Sequence, residues 1–156
     1  MEEKVDKARQ NTRLESEGAE FLVLGNLLIQ GIAAYKAYSN MAGYDLVATN
    51  PDKHRSARIQ VKSRWRTKAT GFIINNFDCD FVVVVKLNRG SKDGKGEILA
   101  PEFYILPIAY VKALPRTHRW GKIPFRNMPN FASYQDRWNL ISDFLNDATV
   151  FTNDLF

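Results

Sequence analysis

The sequence predicts an α+β (α/β) domain built on one central mixed sheet flanked by helices. Three observations predict it: a helix-spaced apolar pattern near the front, four or five strand-like runs in the middle, and an amphipathic helix near the end. A helix, then consecutive strands, then helices is not the strict alternation of a doubly wound repeat. At 156 residues the chain reads as a single domain, residues 1–156, long enough to bury a sizeable core.

The elements follow in order. Spacing near 3.6 residues predicts a helix from about Leu14 to Tyr38, with Leu22, Leu24, Leu27, Leu28, Ile32 and Tyr35 as its apolar positions. Ser16 is a candidate N-cap and Gly31 a candidate stop. "YDLVAT" is the first expected strand, the turn-forming "NPDKHRS" follows, and "ARIQVKSRW" is the second. "GFIINN" is a short strand. "DFVVVVKL" is a continuous β-branched run, expected of a central strand covered on both faces. "NRGSKDGKGE" reads as a flexible loop, "EFYILP" as a further strand and "IAYVKAL" as a short helix. "SYQDRWNLISDFLND" predicts an amphipathic helix burying Trp138, Ile141, Phe144 and Leu145.

Composition narrows the function classes. With 45% hydrophobic and 12% aromatic residues, wholesale disorder is excluded. No apolar run is long enough for a transmembrane helix, and the charged opening "MEEKVDKARQ" lacks a signal-peptide pattern, so no membrane association is expected. The single Cys79 cannot form an internal disulfide, and no Cys/His spacing suggests zinc, so a reducing, cytoplasmic location is expected. Net charge is +5, and its distribution is uneven. Lys53 to Lys68 holds seven Lys or Arg, one His and no acid; Arg116 to Arg126 holds four Lys or Arg and no acid. From Ser133 onward there are four aspartates against one arginine. Basic segments segregated from acid point to a nucleic-acid face.

The second strand raises a sharper question. Its apolar side is Ile59, Val61 and Trp65; its other side reads Arg58, Gln60, Lys62, Arg64, a basic row interrupted by one amide. If the two strands form a hairpin turning at Asp52-Lys53, opposed residue numbers sum to 105 and Asp45 faces Gln60. Their Cβ atoms then lie roughly 5 Å apart on one face, and Lys62, two residues on, shares it. Glu20, from the first helix, can reach the same edge. Oxygen donors from Asp45, Glu20 and the Gln60 amide suit a hard cation, Mg²⁺ or Mn²⁺. Such a cation polarises a phosphate, Lys62 assists the attacking water, and flanking basic residues hold a phosphate backbone.

These residues carry a resemblance. A helix containing "EGAEFLVLGNLLIQG", the strand-opening "GYDLV" and Gln60-Val61-Lys62 on the next strand resemble the PD-(D/E)XK superfamily of restriction-endonuclease-like nucleases, over about Glu17 to Leu87. "EFYILP", "THRW" and "YQDRWNLI" are similar to small bacterial members of that superfamily. The resemblance implies an αβββαβ core with an acid-lined Mg²⁺ site. Glu20 matches its helix acid, Asp45 its aspartate, Gln60 its acid or amide and Lys62 its lysine. It implies a metal-dependent nuclease, a DNA endonuclease, with Glu20, Asp45 and Gln60 as ligands. Arg64, Arg66, Lys68, Arg119 and Lys122 are the expected phosphate contacts. Many enzymes of that superfamily pair up to cut both strands, so a homodimer fits the resemblance, although the sequence carries no dimer signature of its own.

Two departures matter. Gln60 stands where an acid is usual, which removes one negative charge from the site. The literal Pro51-Asp52 is at the hairpin tip, about 23 Å along an extended strand from Asp45, and is a decoy. The alternative reading is a module with the same fold that binds nucleic acid or another protein without cutting. Other residues have ordinary roles: Glu17 as a first-turn acid favoured by the helix dipole, Asp80 as a cap or turn residue, and His54 and His118 as histidines without partners for base catalysis. Trp65 and Trp138 are expected in the core, and Trp120, inside a basic segment, is a candidate stacking surface.

Overall fold

The computed structural model describes residues 3–38, 43–116 and 121–147, with side chains from residue 12 onward. The chain opens with α1 (Glu3–Ile29), which begins earlier and ends sooner than the apolar spacing predicts. Ser16 is therefore not an N-cap; its Oγ donates to the Thr12 carbonyl one turn back, inside the helix. Glu17, expected as a first-turn acid, is likewise a mid-helix residue, as is Glu20. Gly31 is the stop, with φ of +80°. The Ile32 amide reaches back to the Leu27 carbonyl at 2.9 Å and the Gly31 amide to that of Leu28 at 3.0 Å. This is a Schellman closure, and its usual apolar pair, Ile32 and Leu27, is buried in the core.

Beyond the stop the chain is not helical but enters β1 (Ala33–Lys36), so Tyr35 lies on a strand and is exposed. The strand was hidden because four residues following a helical run are too few to show a period of two. β2 (Leu46–Asn50) and β3 (Arg55–Arg64) form the expected hairpin across a 3₁₀ turn at Pro51–Lys53. Its register pairs Leu46 with Ile59 and Asn50 with Arg55, the sum of 105 that the turn position predicts.

β3 continues into a crossover carrying β4 (Gly71–Ile73), and β5 (Phe81–Lys86) returns parallel to β3. An αβββαβ order would place a helix in this crossover; here it is extended, because Gly71, Ile73 and Ile74 lead into turn-forming Asn75 and Asn76. β6 (Glu102–Pro107) pairs antiparallel with β5, and α2 (Ile108–Lys112) follows. β7 (Lys122–Pro124), too short to be read from sequence, pairs with β4. Gly71 permits that pairing, since a Cβ there would lie 2.4 Å from the Ile123 carbonyl oxygen. α3 (Asn139–Asn146) is shorter than its sequence pattern, because Phe131–Tyr134 is a 3₁₀ turn and Asp136 has φ of +55°.

The five-stranded mixed sheet runs β1-β2-β3-β5-β6, and β4-β7 form a separate ribbon. Side chains alternate across it. Leu46, Ile59, Val83, Val85 and Ile105 join α1 and α3 in one core, which includes Ile141 and Leu145. Val82, Val84, Tyr104 and Leu106 join Phe72, Ile123 and α2 in the other. The "FVVVV" run is thus covered on both faces, as its composition predicts. Among the described residues, no helix is long and apolar enough to cross a membrane.

Candidate active site

Asp45 lies one residue before β2, where the sheet hydrogen bonding of the hairpin ends. Its amide donates to the Ile59 carbonyl at 2.8 Å, and its carboxylate Oδ2 accepts the Val61 amide at 2.8 Å. The side chain is thus pinned to the strand that carries Gln60 and Lys62. Burial is the largest influence on its carboxyl and pushes its pKa up; the Val61 amide, Lys62 and Lys36 pull it down, and the net direction is upward.

Gln60 is 8% exposed, between buried Ile59 and half-buried Val61. The ladder ends at the Leu46–Ile59 pair, and Asp45 bonds the Ile59 carbonyl and the Val61 amide, so it lies against those two residues instead of in the regular pair with Gln60 that the hairpin predicts. The Gln60 Oε1 is fully buried and accepts no hydrogen bond. An unpaired buried amide oxygen is costly, and it marks a donor set that fits an electropositive ligand. Lys62 shares the Gln60 face two residues on, close enough to lower the Asp45 pKa.

Glu20 arrives from α1, which covers the opposite face of the sheet, so it meets Asp45 where β2 begins rather than on the Gln60 side. Its pKa is pushed up to about 7, first by burial and then by the Asp45 charge, against the pull of Lys36. Both carboxyl groups are held above their ordinary range chiefly by burial, and Glu20 also by the Asp45 charge. By donor chemistry, Asp45 with either Glu20 or the Gln60 oxygen offers hard oxygen ligands of the kind a divalent cation takes. Among the described residues, no three His, Cys, Asp or Glu gather as a metal-binding group.

Lys36 is the residue that sequence reasoning missed. It is buried on β1, where its ammonium contacts the Glu17 carboxylate and lies 3.8 Å from Glu20. Burial alone would lower its pKa, but the Glu17 hydrogen bond and both carboxylates raise it overall. The only signal was a lone lysine in the apolar run "AAYKAY", and reading that run as helix concealed its neighbours.

The expected phosphate contacts are partly gathered. Arg64 ends β3 and, with Arg66 and Lys92, lines a cleft of about 790 Å³ between α1 and the loop after β5. Glu15 is in the same cleft, its pKa raised by burial and held back by Lys92 and Arg64. Lys68 is exposed beyond it with φ of +65°. Lys122 lies apart on β7, its Nζ donating to Thr70 Oγ1 at 3.0 Å. Arg119, with His118 and Trp120, lies outside the described residues.

Several ordinary roles hold. Asp80 ties β5 to β3, its Oδ2 accepting the Arg58 amide at 2.8 Å and its own amide donating to the Arg58 carbonyl at 2.8 Å. Trp138 is buried against Phe103, whereas Trp65 is half-buried at the cleft. Cys79 is buried and its thiol is pushed up to about 11, mainly by that burial.

No family model matches this chain, and no curated protein matches it. Among solved structures it is similar to a bacterial homing endonuclease, I-Ssp6803I, with 22% identity and a TM-score of 0.54, over 85% of this chain and 92% of that one. At that identity the likeness is one of fold: the mixed sheet and its flanking helices are those of an endonuclease-like α/β architecture.

Proposed function

We propose that this chain is a divalent-metal-dependent nuclease of the PD-(D/E)XK type that hydrolyses phosphodiesters in DNA. The observation that carries the reading is the buried, unpaired Gln60 Oε1 on the same strand as Lys62, the strand to which the Asp45 carboxylate is pinned at Val61. The likeness in fold to a homing endonuclease supports it independently. Asp45, Gln60 and Glu20 hold Mg²⁺ or Mn²⁺. When bound, that ion supplies Lewis acidity to the scissile phosphate and acidifies the attacking water. The Val61 amide keeps the Asp45 carboxylate turned toward β3. Lys62 Nζ orients the water by hydrogen bonding and offsets the charge that accumulates on the phosphate oxygens. Arg64, Arg66, Lys68, Arg119 and Lys122 grip the backbone on either side.

Cleavage of supercoiled plasmid in Mg²⁺ or Mn²⁺ tests the reading. Lys62→Ala is expected to lose at least about 100-fold in rate, the usual scale for a positioned acid–base or electrostatic group; a variant as active as wild type rejects the mechanism. A second reading, a fold that binds DNA without cutting, is favoured by the neutral Gln60 where an acid is usual. Intact DNA binding with no Asp45-dependent Mn²⁺ uptake in calorimetry selects it.

A further inference from the structure

Lys36 is a charged side chain in an unusual place. Its side chain is 5% exposed, it contacts Glu17, and its Nζ is 3.8 Å from Glu20 Oε1. The same Nζ lies 4.3 Å from the centre of the Phe21 ring and 5.5 Å from that of Tyr38. Two carboxylates three positions apart on α1 face it together, and two aromatic faces add cation–π attraction. A buried ammonium persists only with such partners, so this cation is held in one position. That position adjoins the metal residues: Lys36 pairs with Leu46 across the sheet, and the next amide, Ala37, donates to the Asp45 carbonyl at 2.9 Å.

Centres that use two divalent ions hold them roughly 4 Å apart, commonly with a carboxylate between them. Glu20 is the carboxylate that feels both neighbours, the Asp45 charge and the Lys36 ammonium 3.8 Å from its Oε1. We propose that the centre takes a single divalent cation, and that the Lys36 ammonium permanently fills the place between Glu17 and Glu20 where a second would bind. Charge supports this. Glu17, Glu20 and Asp45 bring three negative charges against the two positive charges of Lys36 and Lys62, so one divalent ion already offsets what remains and a second would leave the centre strongly positive.

The inference rests on the metal centre proposed above, and counting bound Mn²⁺ separates the two. Full-length chain is titrated with Mn²⁺ alone at pH 8 by calorimetry, with free Mn²⁺ counted by electron paramagnetic resonance. Wild type and Lys36→Arg are expected to bind one ion, and Lys36→Met two, because Glu17 and Glu20 are released. Two ions in wild type, or one in folded Lys36→Met, overturns the role of Lys36 and leaves the centre standing. No ion in either overturns the centre itself. No ion in wild type but one in Lys36→Met upholds the place and rejects the Asp45 centre. If Lys36→Met fails to fold, Mn²⁺ is expected to restore its thermal transition, since binding only to the folded state stabilises it. A variant rescued by no divalent ion shows a purely structural ion pair and overturns the proposal.

Discussion

At the scale of single residues, Gln60 trades stability for a ligand. Its buried Oε1 lacks a partner, and such a group costs about 1–3 kcal/mol. Gln60→Met keeps the length and removes the oxygen. In urea denaturation without metal it is expected to be no less stable than wild type and up to about that much more stable, while Mn²⁺ binding is lost. A clear loss of stability would show the amide to be a structural group. Glu20 makes the complementary prediction in pH. Its folded pKa is about 7 against an ordinary 4.5, and Asp45 shifts the same way. Between those values the folded state holds more protons than the unfolded one, so stability falls as pH rises from about 4.5 to 7 and then levels. The acids shifted downward, Asp93 and Glu102, titrate below this window. Thermal melts across pH 4.5–8 are expected to show the decline, with Glu20→Gln flattening it and Mn²⁺ reducing it; an unchanged slope in Glu20→Gln removes Glu20 as its source. The hairpin that carries Asp45, Gln60 and Lys62 was legible in sequence, because one short turn fixes its ladder from Asn50–Arg55 to Leu46–Ile59. Lys36 was not, because its meaning depends on α1 packing across β1, which no local pattern encodes.

At the scale of elements, the strands with their own period or composition were readable, and the elements defined by tertiary closure were not. β3 and β5 announce themselves by alternation and by β-branching. β1, β7 and the true end of α1 depend on a glycine stop and on pairing between distant segments. The loop after β5, read as flexible, is in fact tethered. Thr67 donates its hydroxyl to the Glu97 carbonyl and accepts the Gly90 amide at 2.9 Å, and the Thr67 amide reaches the Gly90 carbonyl at 2.9 Å. The Arg89 amide extends the connection to the Trp65 carbonyl at 2.8 Å. Lys92 is thereby held across the cleft from Arg64 and Arg66. Thr67→Val keeps the shape and deletes the hydroxyl bonds. Its expected effects are a global loss of only about 1 kcal/mol, faster amide exchange confined to residues 88–98, and weaker duplex binding by a few-fold. Unchanged exchange in that loop would show that the backbone bonds alone hold it.

At the scale of the whole molecule, the sheet separates two tasks. One core, with α1 and α3, supports Glu20 and Lys36; the other, under β4, β7 and α2, supports the face bearing Gln60 and Lys62. A sheet covered on both sides lets a strand end carry charged groups while its middle stays buried. The basic segments of the sequence meet this frame unevenly: Arg64 and Arg66 line one cleft, Lys68 follows, and Lys122 stands on the separate ribbon. A backbone grip assembled from such separated points has a measurable signature. Each phosphate neutralised releases counterions and adds about −0.9 to the slope of log K against log salt on a duplex. If Arg64, Arg66, Lys68, Arg119 and Lys122 each hold one phosphate, the slope is about −4.5. Fluorescence anisotropy of a labelled duplex between 50 and 200 mM salt, without divalent ions, measures it. Arg64→Ala and Arg66→Ala should each make it shallower by about 0.9, and to the same extent on unrelated sequences, because a backbone contact carries no base information. A slope that survives both substitutions would place the grip elsewhere, and a loss confined to one sequence would mean that these arginines read bases instead.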